Sequence, residues 1–136
     1  MDKSENGRVL IVEDDMLLSM VEERLITKLG YDVVGKVNNG SDVIVMDISL
    51  KGEMDGIETV GKIRQSSDVP VIYLSGSGDR YSYERAKKTG FTEFLKKPIT
   101  TNDLKEPLHT AIEEGDSVGM DNYSSESQKQ PLKNIA

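Results

Sequence analysis

The chain has 136 residues, a net charge of −7, 30% charged and 36% hydrophobic residues, and no cysteine. That length favours one domain with a substantial core. The acidic balance argues against a nucleic-acid partner, which needs clustered Lys and Arg, and the lack of Cys excludes disulfides and thiolate metal sites, so a cytoplasmic setting is expected.

In chain order, polar residues 1–7 do not form a signal peptide and are expected to be disordered. Val9-Leu10-Ile11-Val12 marks a buried strand over 8–12 that runs into Glu13-Asp14-Asp15. Residues 16–29 read as a helix, with Leu18, Val21, Leu25 and Leu29 at spacings of three and four and Gly30 as its cap. A second strand follows over 32–37, then the turn signal Asn38-Asn39-Gly40-Ser41. The third strand, 43–48, carries Asp47 at the end of Val43-Ile44-Val45-Met46. A loop over 51–55 leads to a helix over 56–65, and a fourth strand over 69–74 stops before Ser75. A helix over 80–89 and a short fifth strand over 91–95 precede Lys96-Lys97-Pro98. The last helix spans 102–114, with Pro107 expected to kink it or delay its start. Residues 115–136 lack apolar periodicity and read as a flexible polar tail. No apolar run approaches the ~18 residues of a membrane helix, so no membrane partner is expected.

Strands alternating with helices predict a parallel sheet covered on both faces, with its site at the carboxyl ends of the strands. Four such ends carry Glu13-Asp14, Asp47, Ser75 and Lys97. Each alone has a plainer reading: a turn residue, a helix cap, a solvated lysine. Together, acids, a hydroxyl and a lysine in one crevice suit a divalent metal and a phosphoryl group.

The chain resembles the receiver domains of two-component response regulators over about residues 8–114. The resemblance rests on Val-Glu-Asp-Asp at 12–15, Val-Met-Asp-Ile at 45–48, Met-Asp-Gly-Ile-Glu at 54–58, Pro-Val-Ile-Tyr-Leu-Ser at 70–75 and Phe-Leu-Lys-Lys-Pro at 94–98. It implies a flavodoxin-like, doubly wound, five-stranded parallel sheet. It also implies that Asp47 accepts a phosphoryl group from a sensor histidine kinase. Glu13, Asp14, Asp47 and the backbone carbonyl of Ser49 would hold Mg²⁺, with Asp15 capping the first helix. Lys97 would pair with Asp47 and then with the phosphoryl oxygens. Ser75 and Phe94 would form the switch, and Lys97-Pro98 would be a cis peptide.

The chain departs from the receiver pattern at one place. Only the five residues Asn38 to Asp42 separate the predicted second and third strands, where receivers carry a helix. Five residues reach at most ~18 Å. A parallel return along one strand and across two spacings needs ~20 Å before climbing over the sheet. Unless strand ends unravel, three solutions remain. The chain could exchange its later strands with a second copy, giving a domain-swapped homo-oligomer, which is the favoured expectation. It could form an antiparallel hairpin, or the second strand could leave its usual place.

The leading functional expectation is therefore a receiver that signals to a downstream protein and is not itself a classical enzyme. A remodelled receiver acting as an oligomerisation module is the alternative. An aspartyl-phosphate phosphohydrolase is weaker, because Ser49 stands where a general acid would sit two residues after the nucleophile.

Overall fold

Short apolar runs of β-formers lie side by side as strands, and the segments between them fold back as helices. The computed structural model describes residues 7–36 and 42–120, with side chains described as far as Glu114. The elements are β1 (Arg8–Val12), α1 (Met16–Lys28), β2 (Asp32–Val34), β3 (Asp42–Asp47), α2 (Gly56–Ile63), β4 (Val71–Ser75), α3 (Arg80–Lys87), β5 (Glu93–Lys96) and α4 (Thr101–Met120). All strand pairs are parallel, in the order β2-β1-β3-β4-β5. That is the flavodoxin-like doubly wound order, whose switch point lies between β1 and β3.

Central strands buried on both faces need apolar side chains at every position. β3 and β4 meet this requirement, since every residue in them is buried. Ile44, Met46, Val71 and Tyr73 pack under Ile57 and Val60 of α2 and Tyr83 and Ala86 of α3. Val43, Val45, Ile72 and Leu74 pack on the other face against Ile26 of α1 and Leu104, Leu108 and Ala111 of α4. Leu10 and Val12, at the β1 side of the first face, are only partly buried.

Among the described residues no helix lies between β2 and β3. A single chain nevertheless makes both parallel pairs of β1. The expectation that the ordinary crossover could not close fails for a local reason. β2 stops at Val34, three residues short of its predicted end, and Val34 pairs with Leu10 while Asp42 pairs with Arg8. The return is thus about 7 Å along the strands and about 10 Å across them, or about 12 Å in a straight line. Residues 35–41 can span about 25 Å. The hairpin is excluded by the parallel pairing, and β2 keeps its usual edge position. Exchange with a second copy is not required by the fold. The Asn38-Asn39-Gly40-Ser41 turn, the N-terminus to residue 6 and the tail from 121 lie outside the described residues.

Two helices differ from expectation. α1 buries Glu22 and Ile26; of the predicted stripe, Leu25 and Leu29 pack against the core while Leu18 and Val21 face solvent, so the inward face is rotated toward Glu22 in the first half of the helix. α4 starts at Thr101 despite Pro107 and continues to Met120, six residues past the predicted end. Extending an existing helix adds one hydrogen bond per residue without a new nucleation cost.

Candidate functional site

Strand register assembles the site. The β1–β3 ladder ends at Val12↔Met46, so the next residues, Glu13 and Asp47, come side by side. The β3–β4 ladder ends at Asp47↔Leu74, and the β4–β5 ladder at Ser75↔Lys96, one residue before Lys97. All four strand ends predicted from sequence therefore meet in one crevice.

Asp47 is 2% exposed. Its Oδ1 accepts Lys97 Nζ at 3.0 Å and the Ser49 N–H at 3.2 Å. Glu13 Oε1 accepts the same Lys97 Nζ at 3.0 Å, and Glu13 Oε2 accepts the Asp15 N–H at 3.2 Å. One ammonium thus bridges two buried carboxylates. Burial works against the Lys97 charge, but hydrogen bonds to Asp47 and Glu13 outweigh it and hold its pKa above the ordinary value. Burial pushes the Asp47 carboxyl up; Lys97 opposes this, and the neighbouring Glu13 charge adds to it. A single cation does not offset burial plus a second carboxylate.

Asp14 is exposed at the mouth, where its Oδ2 accepts the Lys51 N–H at 2.6 Å. Oxygens of Glu13, Asp14 and Asp47 all lie within 4.8 Å of one another. An all-oxygen donor set crowded with negative charge suits Mg²⁺, which keeps several of its own waters. Ser75 is buried, and its Oγ accepts the Gly78 N–H at 2.8 Å. Lys97-Pro98 is cis. Asp15 caps α1 by accepting the Leu18 N–H at 3.0 Å.

The loop after β3 is anchored by α2. Asp55 caps it in a reciprocal box, accepting the Glu58 N–H while Glu58 Oε1 accepts the Asp55 N–H, each at 2.9 Å. Arg85 of α3 pairs with Asp55 at 2.9 Å. Burial alone would raise the Asp55 pKa, but Arg85 and the helix N–H groups hold it below the usual value. The Gly56 N–H donates to the Ile48 carbonyl at 2.8 Å, docking the helix start against the end of β3.

Phe94 is half-buried, not turned fully inward or outward. Its ring meets Tyr83 edge-on with centroids 5.3 Å apart and lies 6.2 Å from Tyr73. A pocket of about 370 Å³ beside it is lined by Gly78, Arg80, Tyr83, Phe94 and Lys96. His109 is far from this chemistry in role: it is exposed and faces Glu113 at 3.3 Å.

Sequence reasoning missed Glu22. Its side chain is buried, and the charges of Glu13, Lys97 and Asp47 act on it. Burial first, then Glu13, pushes its pKa up to about 8. The available signal was a glutamate one turn before Ile26 on the same helix face.

Residues 9–109 match the family model of the response regulator receiver domain. The chain is 32% identical over 114 residues to the chemotaxis protein CheY of Thermotoga maritima, covering 75% of this chain and 94% of that one. It is 28% identical over 116 residues to the transcriptional regulatory protein PdtaR of Mycobacterium tuberculosis, covering 77% of this chain. The chain spans about half the length of that relative, 56%. Among solved structures, it resembles the receiver domain of the sensor histidine kinase PA1611 from Pseudomonas aeruginosa, which holds a magnesium ion in its active-site cleft. The TM-score is 0.66 at 28% identity, over 78% of this chain and 97% of that one. No helix of the described residues is long and apolar enough to cross a membrane.

Proposed function

The chain belongs to the response regulator receiver family of two-component signalling, and on that footing we propose that Asp47 is its phosphoacceptor. The observation that carries this assignment is the single Lys97 ammonium held 3.0 Å from Asp47, at the end of the strand that also faces Glu13. In the proposed transfer an Asp47 carboxylate oxygen forms the new O–P bond. The P–N bond of a phosphohistidine on a sensor kinase breaks, and its electron pair returns to the imidazole, which takes up a proton. Lys97 would move with the developing charge, from the carboxylates to a phosphoryl oxygen. Glu13, Asp14, Asp47 and the Ser49 carbonyl would hold Mg²⁺, which supplies positive charge to the phosphoryl group.

Ser75 and Phe94 are the proposed switch. The Ser75 hydroxyl would leave the Gly78 N–H for a phosphoryl oxygen, and the half-buried Phe94 ring would turn into the space vacated nearby. A downstream protein would read that change. A cytoplasmic setting, slow loss of the phosphoryl group by hydrolysis and association into homo-oligomers complete the reading.

The test is intact mass after incubation with Mg²⁺ and acetyl phosphate. Wild type should gain one phosphoryl group, and Asp47→Asn none. Equal labelling of the variant would place the acceptor elsewhere.

A further inference from the structure

Apolar side chains normally turn away from water, yet the first half of α1 does the reverse. Met16, Leu17 and Met20 are 79%, 71% and 60% exposed, and Leu18 and Val21 are exposed beside them. Single exposed apolar residues are ordinary, whereas a contiguous patch marks a contact surface. Met16 and Met20 are four residues apart, as are Leu17 and Val21, so they form two adjacent ridges on one side of the helix. That side lies opposite Ile26, which faces the sheet. The other exposed large hydrophobics among the described residues, Met54 and Tyr81, stand on separate segments.

The patch offers about 500 Å² of apolar surface, at the upper end of what a monomer leaves uncovered. A standard interface buries about 800 Å² per partner, about two-thirds of it apolar at a homodimer contact. The patch therefore supplies the apolar core of one such interface. The charges at its two ends say what sits on it. Asp14 and Asp15 are exposed just before α1, and Arg24 and Lys28 are exposed beyond the ridges. The outer face of α1 thus runs from acid through apolar to base, while Glu23 lies about 100° around the helix from Arg24, at the flank. A twofold axis between Leu18 and Ser19 apposes two antiparallel copies of this face. Met16 then meets Val21 of the second copy, and Leu17 meets Met20. Along the helix, Arg24 lies about 8 Å past the axis and the second copy's Asp15 about 5 Å past it on the same side, within reach of an arginine side chain. Self-association thus places base on acid at both ends. We propose that the exposed face of α1 is the contact between two copies of this chain, packed as an antiparallel helix pair. The copies associate as rigid bodies and exchange no strand, so each crevice stays within one chain. This inference does not depend on the phosphoacceptor reading.

The test is sedimentation velocity of the full chain from about 1 to about 300 µM. Wild type should pass from monomer to dimer within that range. Met20→Glu puts a charge at the centre of the apolar contact and should weaken the dimer about 30-fold or more. Leu17→Lys reads the same contact from the neighbouring ridge. Arg24→Glu turns an acid toward the second copy's Asp15 and should weaken the dimer about ten-fold. These side chains are exposed in the single chain, so the variants should melt like wild type at dilutions where all are monomers. Tyr81→Glu, at an exposed aromatic on α3, is the control and should dimerise as wild type does. A wild-type chain that stays monomeric to about 300 µM would overturn the inference and leave the face to another occupant, the segment after residue 120 or a helix of a phosphodonor protein. A dimer that survives both Met20→Glu and Leu17→Lys would overturn it too, because the contact would then lie elsewhere.

Discussion

Replacing Gly56 with Ala should damage both the fold and the site, because α2 begins in contact with the backbone of Asp47. A Cβ at Gly56 would lie 2.1 Å from the Asp47 carbonyl oxygen and 2.9 Å from both the Asp47 carbonyl carbon and the Ile48 Cα. All three are backbone atoms, so no side chain can rotate away. Restoring ordinary contact requires about 1 Å or more of relative movement between α2 and the end of β3. Overpacking of this kind costs about 1–3 kcal/mol, and the rigid neighbours place Gly56→Ala at the upper end. At about 4 °C per kcal/mol for a domain of this size, the melting temperature should fall by about 10 °C. A misplacement of about 1 Å at a reacting group can cost about 100-fold in rate, so phosphoryl uptake should slow more than stability alone explains. Gly61 supplies the control: it lies in the same helix, and nothing lies within 4 Å of an added Cβ. Gly61→Ala should be neutral or stabilise by about 0.5–1 kcal/mol. Urea unfolding and phosphoryl uptake of the two variants decide the matter. Equal behaviour of Gly56→Ala and Gly61→Ala would refute the close approach of α2 to Asp47.

Asp55→Ala removes the α2 cap, its reciprocal box and the Arg85 pair, and should cost about 1–2 kcal/mol in urea unfolding, while Asp55→Asn should retain the cap. Lys97→Met leaves the buried Glu13 and Asp47 carboxylates without their cation; it should destabilise the metal-free chain by about 3–5 kcal/mol near neutral pH, partly recovered by Mg²⁺ in thermal melts. Glu22 and Asp47 both have raised pKa values, so the folded chain holds protons that the unfolded chain releases. Their contribution is present below the ordinary carboxylate range and is lost as pH rises; for Glu22 the window runs from 4.5 to about 8. Metal-free protein should therefore melt higher at pH 5.5 than at pH 8, with a weaker trend in Glu22→Gln, and a flat profile in the wild type would contradict the burial of these acids.

Much of the fold was legible because its signals are local. The four apolar runs ending in Asp14, Asp47, Ser75 and Lys97 need no knowledge of tertiary structure to be recognised as strands. Once they are parallel neighbours, the crevice follows. Asp15 and Gly30 act where their chemistry predicts: a cap, and a glycine at φ +101° just past α1. What failed depended on lengths and facing directions. The crossover looks too short only with a strand over 32–37, and β2 ends at Val34. Of the apolar stripe Leu18, Val21, Leu25 and Leu29, the last two pack against the core, but the first two face solvent and the helix turns Glu22 and Ile26 inward. Hydrophobicity could not show the burial of Glu22, since that inward residue is an acid. The half-buried state of Phe94 depends on Tyr73, Tyr83 and Phe91 together, which sequence spacing does not bring into view.

The central claim is that one chain, with no helix between β2 and β3 among the described residues, closes the whole crevice by itself. Mixing two inactive variants, Asp14→Ala and Asp47→Asn, after joint unfolding and refolding tests it most directly. Phosphoryl uptake is read by intact mass and the degree of mixing by light scattering of differently tagged chains. With Asp14 and Asp47 drawn from the same chain, every site in the mixture carries a lesion. Uptake should then equal the average of the two separate variants, while the wild-type chain takes up one phosphoryl group. Uptake in the mixed sample well above that average would mean that Asp14 of one copy works with Asp47 of another. That result would contradict the single-chain crevice and restore the exchanged oligomer.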